Sequence, residues 1–181
     1  MHAQDTMLPS TLRLLGAHRC ADEGESACRD RMLEACVLPG VFSKDFFLPG
    51  HFTASAFVLS PSLGHVLLYR HPKIGEWIQP GGHLEKGDGD LCSAALRELE
   101  EETALGAVED TGLRDLDIHS VPRTLKSPAH VHFDVRFFFR CTDAFQPGPG
   151  CRWAALPDLG AETSDTSVLL AMRRFPARLR A

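Results

Sequence analysis

The sequence has one tyrosine, Tyr69, and two tryptophans in 181 residues. It has no apolar run near the roughly 20 residues that a membrane-spanning helix needs, so no membrane partner is expected. Its first residues, MHAQDTMLPS, lack a basic segment followed by an apolar one, so secretion is not expected either. The six cysteines, Cys20, Cys28, Cys36, Cys92, Cys141 and Cys151, include no CxxC pair. They are expected as free thiols in a cytoplasmic protein. Positive charge is also short: 19 Lys and Arg stand against 24 Asp and Glu, a formal net charge of -5. That balance gives no pull towards a nucleic acid polymer or an anionic membrane. An anionic substrate would have to be met by something local, and a divalent cation is one means.

Hydrophobic residues at 44% and charged residues at 24% are ordinary for a globular chain with a core. The length suits one domain with a small appendage. Residues 10–37 read as helical, with Ser10 as a cap and Cys28, Met32 and Cys36 spaced by four. PGVFSKDFFLPG reads as a connection with Pro-Gly at both ends. The strand-like segments FTASAFVLS and HVLLYRH flank PSLG and predict a hairpin. GEWIQPGG is a short strand and a Gly-rich turn, and DLCSAALRELEEET is the clearest helix, capped by Asp90. HVHFDVRFFFR alternates as a strand, QPGPG is a loop, and SDTSVLLAMRRFPARLR reads as a closing helix interrupted near Pro176. The order of elements predicts an α/β (α+β) sandwich.

The helix carries four glutamates in five residues, Glu98 to Glu102. At about 100° per residue, with Glu98 as zero, Glu101 falls near -60°, Glu102 near +40° and Glu100 about 200° round. Cys92, Leu96, Leu99 and Thr103 fall at roughly 100° to 160°, the arc expected to be buried. Glu98, Glu101 and Glu102 thus share one arc beside the core, and Glu100 faces solvent. Glu98 and Glu102 are like charges at i,i+4 with no lysine beside them, and the nearby cation, Arg97, reaches Glu101 at i+4. An acidic helix face is often simply solvated, but clustered carboxylate oxygens are also what Mg²⁺ or Mn²⁺ requires. The Gly-rich loop PGGHLEKGDGD just before the helix favours the second reading.

In register, these residues resemble the Nudix hydrolase family, whose box reads G-x5-E-x7-R-E-U-x-E-E-x-G-U with U aliphatic. Gly82 opens it, Arg97-Glu98-Leu99 supply R-E-U, Glu101-Glu102 supply E-E, and Leu105 is the last U. Asp88 stands where the first glutamate is expected, one extra residue separates it from Arg97, and Ala104 replaces the glycine. The resemblance implies a Nudix-type α/β/α sandwich with a mixed β-sheet over residues 46–181; the N-terminal helical segment lies outside the family's common core and is expected as an extension, residues 1–45, packed on it. It implies hydrolysis of a phosphoanhydride bond, in a nucleoside diphosphate linked to another moiety or in a nucleoside triphosphate. Metal would be held by Glu98, Glu101, Glu102, the Gly82 carbonyl and a loop carboxylate: Asp88, Asp90 or Glu85. Arg97 would orient a carboxylate, and Glu98 or Glu101 would serve as general base. The partner is a small phosphorylated nucleotide-like substrate, and a homodimer is allowed. The NADH-cleaving branch signature SQPWPFPxS is absent, and so is the downstream tyrosine associated with some ADP-ribose and dinucleoside-polyphosphate branches. The competing expectation is a catalytically silent Nudix-fold sensor of nucleotides.

A second constellation lies in PAHVHFDVRFFF. With a period of two, His130, His132, Asp134 and Arg136 share one face, against Val131, Phe133, Val135, Phe137 and Phe139 on the other. That face is either a solvated surface or the lining of a substrate pocket. His130 and His132 are spaced to chelate a transition metal, but the sequence reveals no third soft ligand. Arg70, with His71 and Lys73, precedes the box and is placed to steer an anion, and His83 follows Gly82 directly. Trp77 is expected in the core rather than as a base-stacking platform.

Overall fold

Residues 3–179 are described in a computed structural model of the chain. Two helices open it: α1 (Ala3–Ala17) and α2 (Glu23–Cys36). The helical character expected over residues 10–37 is borne out as two helices, but Ser10 is not a cap. Its hydroxyl bonds back to the Met7 carbonyl inside α1. The break falls at residues 18–22, where Asp22 caps α2 by accepting the Glu25 N–H at 2.8 Å. The Glu25 side chain is buried, and its two oxygens accept from Ala21 N–H, Leu116 N–H and His18.

The strands are β1 (Gly50–Leu59), β2 (His65–Arg70), β3 (Trp77–Ile78), β4 (Gly81–His83), β5 (Val108–Val121), β6 (His130–Cys141) and β7 (Cys151–Ala155). The sheet order is β3-β2-β1-β6-β5, with β4 on β1 and β7 on β2. The expected hairpin is formed, with Leu59 opposite Val66 and Ser60 N–H bonded to the His65 carbonyl. Helix α3 (Leu91–Thr103) follows β4, and α4 (Leu159–Glu162) and α5 (Thr166–Arg178) close the chain. Pro176 does not interrupt α5, which runs through it to Arg178.

Two compact units are formed. One comprises Met1–Ala54, Gly82–Ala94 and Arg114–Arg136, and includes the stacked rings Phe42 and Phe52 and the buried Met32, Leu84, Leu116 and Phe133. The other comprises Ser55–Gly81, Ala95–Leu113 and Phe137–Ala181. Its core joins Phe57, Phe138 and Phe175 in a ring stack with Val66, Leu68, Val168 and Met172. Among the described residues, no helix is long and apolar enough to cross a membrane.

Helix α3 departs from its expected packing. Leu91, Ala94, Ala95, Leu99 and Thr103 are buried, whereas Leu96 is exposed and Cys92 only partly covered. On the helical wheel the buried arc runs from about -40° to +140°, so Glu98 and Glu102 lie within it rather than beside it. At the end of α3, Ala104 has φ +59°, the left-handed conformation that ends helices and that glycine adopts freely. Ala104 is exposed, so its Cβ contributes strain there without compensating burial. Ala104→Gly is expected to raise stability by about 1 kcal/mol in urea denaturation.

Candidate metal site and histidine cluster

Asp90 caps α3 as expected, accepting the Ser93 N–H at 2.8 Å, while Ser93 Oγ accepts the N–H groups of Gly89 and Asp90. Past this cap the acidic residues emerge on two sides. Glu98 keeps 15% of its side-chain surface and Glu101 58%, and Arg97 Nη1 joins them, 2.8 Å from Glu98 Oε1 and 3.3 Å from Glu101 Oε2. Glu102 is half-buried and accepts the Gly81 N–H at 3.0 Å. Its carboxyl is pushed up to about 7, chiefly by burial and also by Glu98 and Glu101. The Gly81 N–H and the nearby Tyr69 hydroxyl oppose that rise. Burial raises the Tyr69 phenol in turn. This face of α3 concentrates more negative charge than its single arginine offsets. Glu100 is exposed and outside the group.

Among the loop carboxylates, Asp88 Oδ2 accepts the Glu85 N–H at 2.7 Å and closes the turn, and Asp90 is committed to the helix cap. Glu85 is exposed. A cleft of about 340 Å³ beside this loop is lined by Phe42, Ser43, Lys44, Asp45, Leu84, Glu85 and Lys86.

Strand β6 lies between β1 and β5 and is largely buried on both faces, which excludes the solvated-surface reading. Its polar face divides in two. At the inner end Arg136 is fully buried and donates from Nε to Asp134 (3.0 Å), from Nη1 to Asp115 (3.0 Å) and from Nη2 to Asp117 (2.6 Å). Burial disfavours the guanidinium charge, but the carboxylates of Asp134, Asp117 and Asp115 outweigh it and raise the pKa. Asp134 also accepts from the Thr53 hydroxyl at 3.0 Å. The expectation that Asp134 and Arg136 contact substrate is not carried forward. Their polar atoms are spent on one another inside the protein.

At the other end, His130 and His132 meet histidines from three further strands. The ring of His51, on β1, lies 4.9 Å from that of His132, 5.0 Å from His130 and 5.0 Å from His83. His119, on β5, lies 5.3 Å from His132 and bonds Asp117 through Nδ1. Gly50 permits this convergence: a Cβ there would sit 1.9 Å from the Val131 carbonyl oxygen, so only glycine lets β1 begin so close to β6. Burial, followed by the surrounding imidazoles, pushes His132 down to about 2, and burial also lowers His51. Both rings are held neutral. The sequence reading missed His51 and His119, and the available signal was His51 directly after a Pro-Gly pair that opens a strand.

Arg70 is exposed and its Nε bonds the Gly75 carbonyl at 3.2 Å. Trp77 is partly buried and packs against the core cluster of Phe57, Phe138 and Phe175, as expected, and the Arg152 guanidinium 4.0 Å over its ring leaves no open platform. All six cysteines are free.

The NUDIX domain family model matches residues 49–175, and the chain belongs to this family. Solved structures similar to it include an Ap4A hydrolase from C. elegans, 19% identical, with a TM-score of 0.55 over 71% of this chain and 97% of that one. The dihydroneopterin triphosphate pyrophosphohydrolase of E. coli is 16% identical, with a TM-score of 0.54 over 72% and 96% of the two chains. At such identities the likeness concerns the fold, a mixed sheet with helices. No curated protein matches the sequence.

Proposed function

We propose that this protein is a Mg²⁺- or Mn²⁺-dependent pyrophosphohydrolase, acting on a nucleoside diphosphate linked to another moiety or on a nucleoside triphosphate. The observation that carries the reading is the carboxylate group of α3: Glu98 and Glu102 within its buried arc, Glu101 at the rim, and Arg97 joining Glu98 to Glu101. The donor set suits a hard divalent cation, since it is all oxygen, clustered and under-neutralised. Glu98, Glu101 and Glu102 would hold the ion with the Gly82 carbonyl and a carboxylate of the preceding loop, Asp88 in the register of the family box. A bound ion would neutralise phosphate oxygens and make a water easier to deprotonate for attack on phosphorus at neutral pH.

The chain's own groups have separable parts in this reading. Arg97 fixes two carboxylates by charge-assisted hydrogen bonds, which keeps them from swinging into solvent. The Gly81 N–H orients the Glu102 carboxylate from the turn beside Gly82. Glu98 and Glu101 are the two assignments for the base that accepts the water proton, and Glu101 is the more open to solvent. His83, His130, His132 and Arg70 remain proposed contacts for the substrate, His83 as the exposed residue next to Gly82.

The test is a panel of nucleoside diphosphate conjugates and triphosphates, assayed for phosphate or nucleoside monophosphate release. Turnover is expected with Mg²⁺, none after chelation, and recovery on adding Mg²⁺ or Mn²⁺. Undiminished turnover in excess chelator would refute the metal-dependent reading.

A further inference from the structure

A second group of ligating atoms stands outside the α3 carboxylates and has a different chemistry. One ring nitrogen from each of His51, His83 and His132 lies within 4.8 Å of the other two. The three come from β1, β4 and β6, so rigid strands position them rather than one mobile loop. His51 Nδ1 is 2.9 Å from the Phe46 carbonyl oxygen, which places the proton on Nδ1 and leaves Nε2 with its lone pair. That Nε2 is buried without a hydrogen-bond partner, and so is Nε2 of His132. Two buried imidazole nitrogens without hydrogen-bond partners in one place are costly for a fold unless something pairs with them.

We propose that His51, His83 and His132 form a tri-histidine site for a first-row transition ion of the Zn²⁺ class. Neutral imidazole is the ligand such ions select, whereas Mg²⁺ prefers oxygen. In a tetrahedral site with metal–nitrogen bonds of about 2.0–2.1 Å, ligand nitrogens stand roughly 3.3 Å apart. The group therefore needs only small side-chain rotations to close on an ion. Its surroundings resemble a ligand-orienting shell. Of the three ligands, His51 is held by the Phe46 carbonyl; the neighbouring histidines of the cluster are fixed too, His130 by the Pro128 carbonyl at 2.9 Å and His119 by Asp117. His51 is buried, His132 partly buried and His83 exposed, and three protein ligands are the number found in open rather than closed zinc sites. The other His/Cys/Glu group, His18, Cys20 and Glu25, lacks this property, because both Glu25 oxygens already accept hydrogen bonds.

The experiment is Zn²⁺ binding to the full chain by titration calorimetry, with Co²⁺ as a spectroscopic probe through its visible ligand-field bands. Wild type is expected to bind one equivalent and to give nitrogen-ligated Co²⁺ bands. His132→Ala, and His83→Ala at an exposed position where folding is not at risk, are each expected to weaken binding by about 100-fold or more. Glu98→Gln/Glu102→Gln is expected to keep the Zn²⁺ equivalent, which separates this site from the carboxylates of α3. The proposal is overturned if wild type binds no more Zn²⁺ than His83→Ala, or if the glutamine double variant loses the equivalent while the histidine variants keep it.

Discussion

Glu102→Gln is expected to lower turnover by about 100-fold or more with Mg²⁺, while leaving the fold intact. The substitution is nearly isosteric, and the amide oxygen can still accept the Gly81 N–H that Glu102 accepts now. What it removes is a charge from a half-buried position. Because that charge would hold the ion, its loss should appear in kcat, with KM changing less. A 100-fold loss corresponds to roughly 2.7 kcal/mol on the barrier. Glu100→Gln makes the same change in net charge on the exposed side of the same helix, and its turnover should match wild type. Equal losses in the two variants would mean that overall charge, not a local site, sets activity.

The largest effect on stability is expected at Arg136. Arg136→Met leaves Asp115 and Asp134 buried at 0% and 1% exposure with their guanidinium partner gone. Breaking one partner out of a buried ion pair costs about 3–5 kcal/mol, because the remaining charge is neither solvated nor paired. Domains of this size are stable by only about 5–15 kcal/mol, so the variant should unfold at much lower urea or be recovered aggregated. Adding Asp115→Asn, Asp117→Asn and Asp134→Asn should restore part of the loss. That recovery would show the penalty to be electrostatic rather than a packing defect. An Arg136→Met midpoint equal to wild type would contradict the buried network.

These same carboxylates explain what sequence could and could not disclose. The hairpin, α3, β6 and α5 were legible because their own residues carry the pattern: alternation, a cap, or a helical stripe. Strand β5 was not. VEDTGLRDLDIHSV places Asp110, Asp115 and Asp117 with Gly112 in one strand, residues that disfavour strands on their own. It is stabilised as a strand by Arg136, which accounts for two of those aspartates from the far side of a long connection. Strand β7 is short and its partner β2 lies far earlier in the chain, with Tyr69 opposite Cys151 and His65 opposite Ala155, so local pattern again says little.

The candidate site divides along the same line. The glutamates were legible because they sit in fixed register on one helix, and helix arithmetic alone separated Glu100 from the others. The buried arc was misplaced because Ala94 and Ala95 carry little hydrophobic signal, yet both are fully buried. For β6 the polar face was seen correctly, but its two halves have different fates that only cross-strand neighbours determine. Arg136 joins Asp134 to the β5 aspartates Asp115 and Asp117, and His130 and His132 meet His51 and His83 from β1 and β4. A third soft ligand was absent from the local sequence and present in the fold.

The reading of α3 as a metal cradle rests on carboxylates that no single substrate assay isolates. Counting bound Mn²⁺ by electron paramagnetic resonance does so without turnover. Wild type should take up Mn²⁺ that Glu98→Gln/Glu102→Gln does not, with His83→Ala behaving as wild type. Equal Mn²⁺ uptake by wild type and the glutamine double variant would contradict the account.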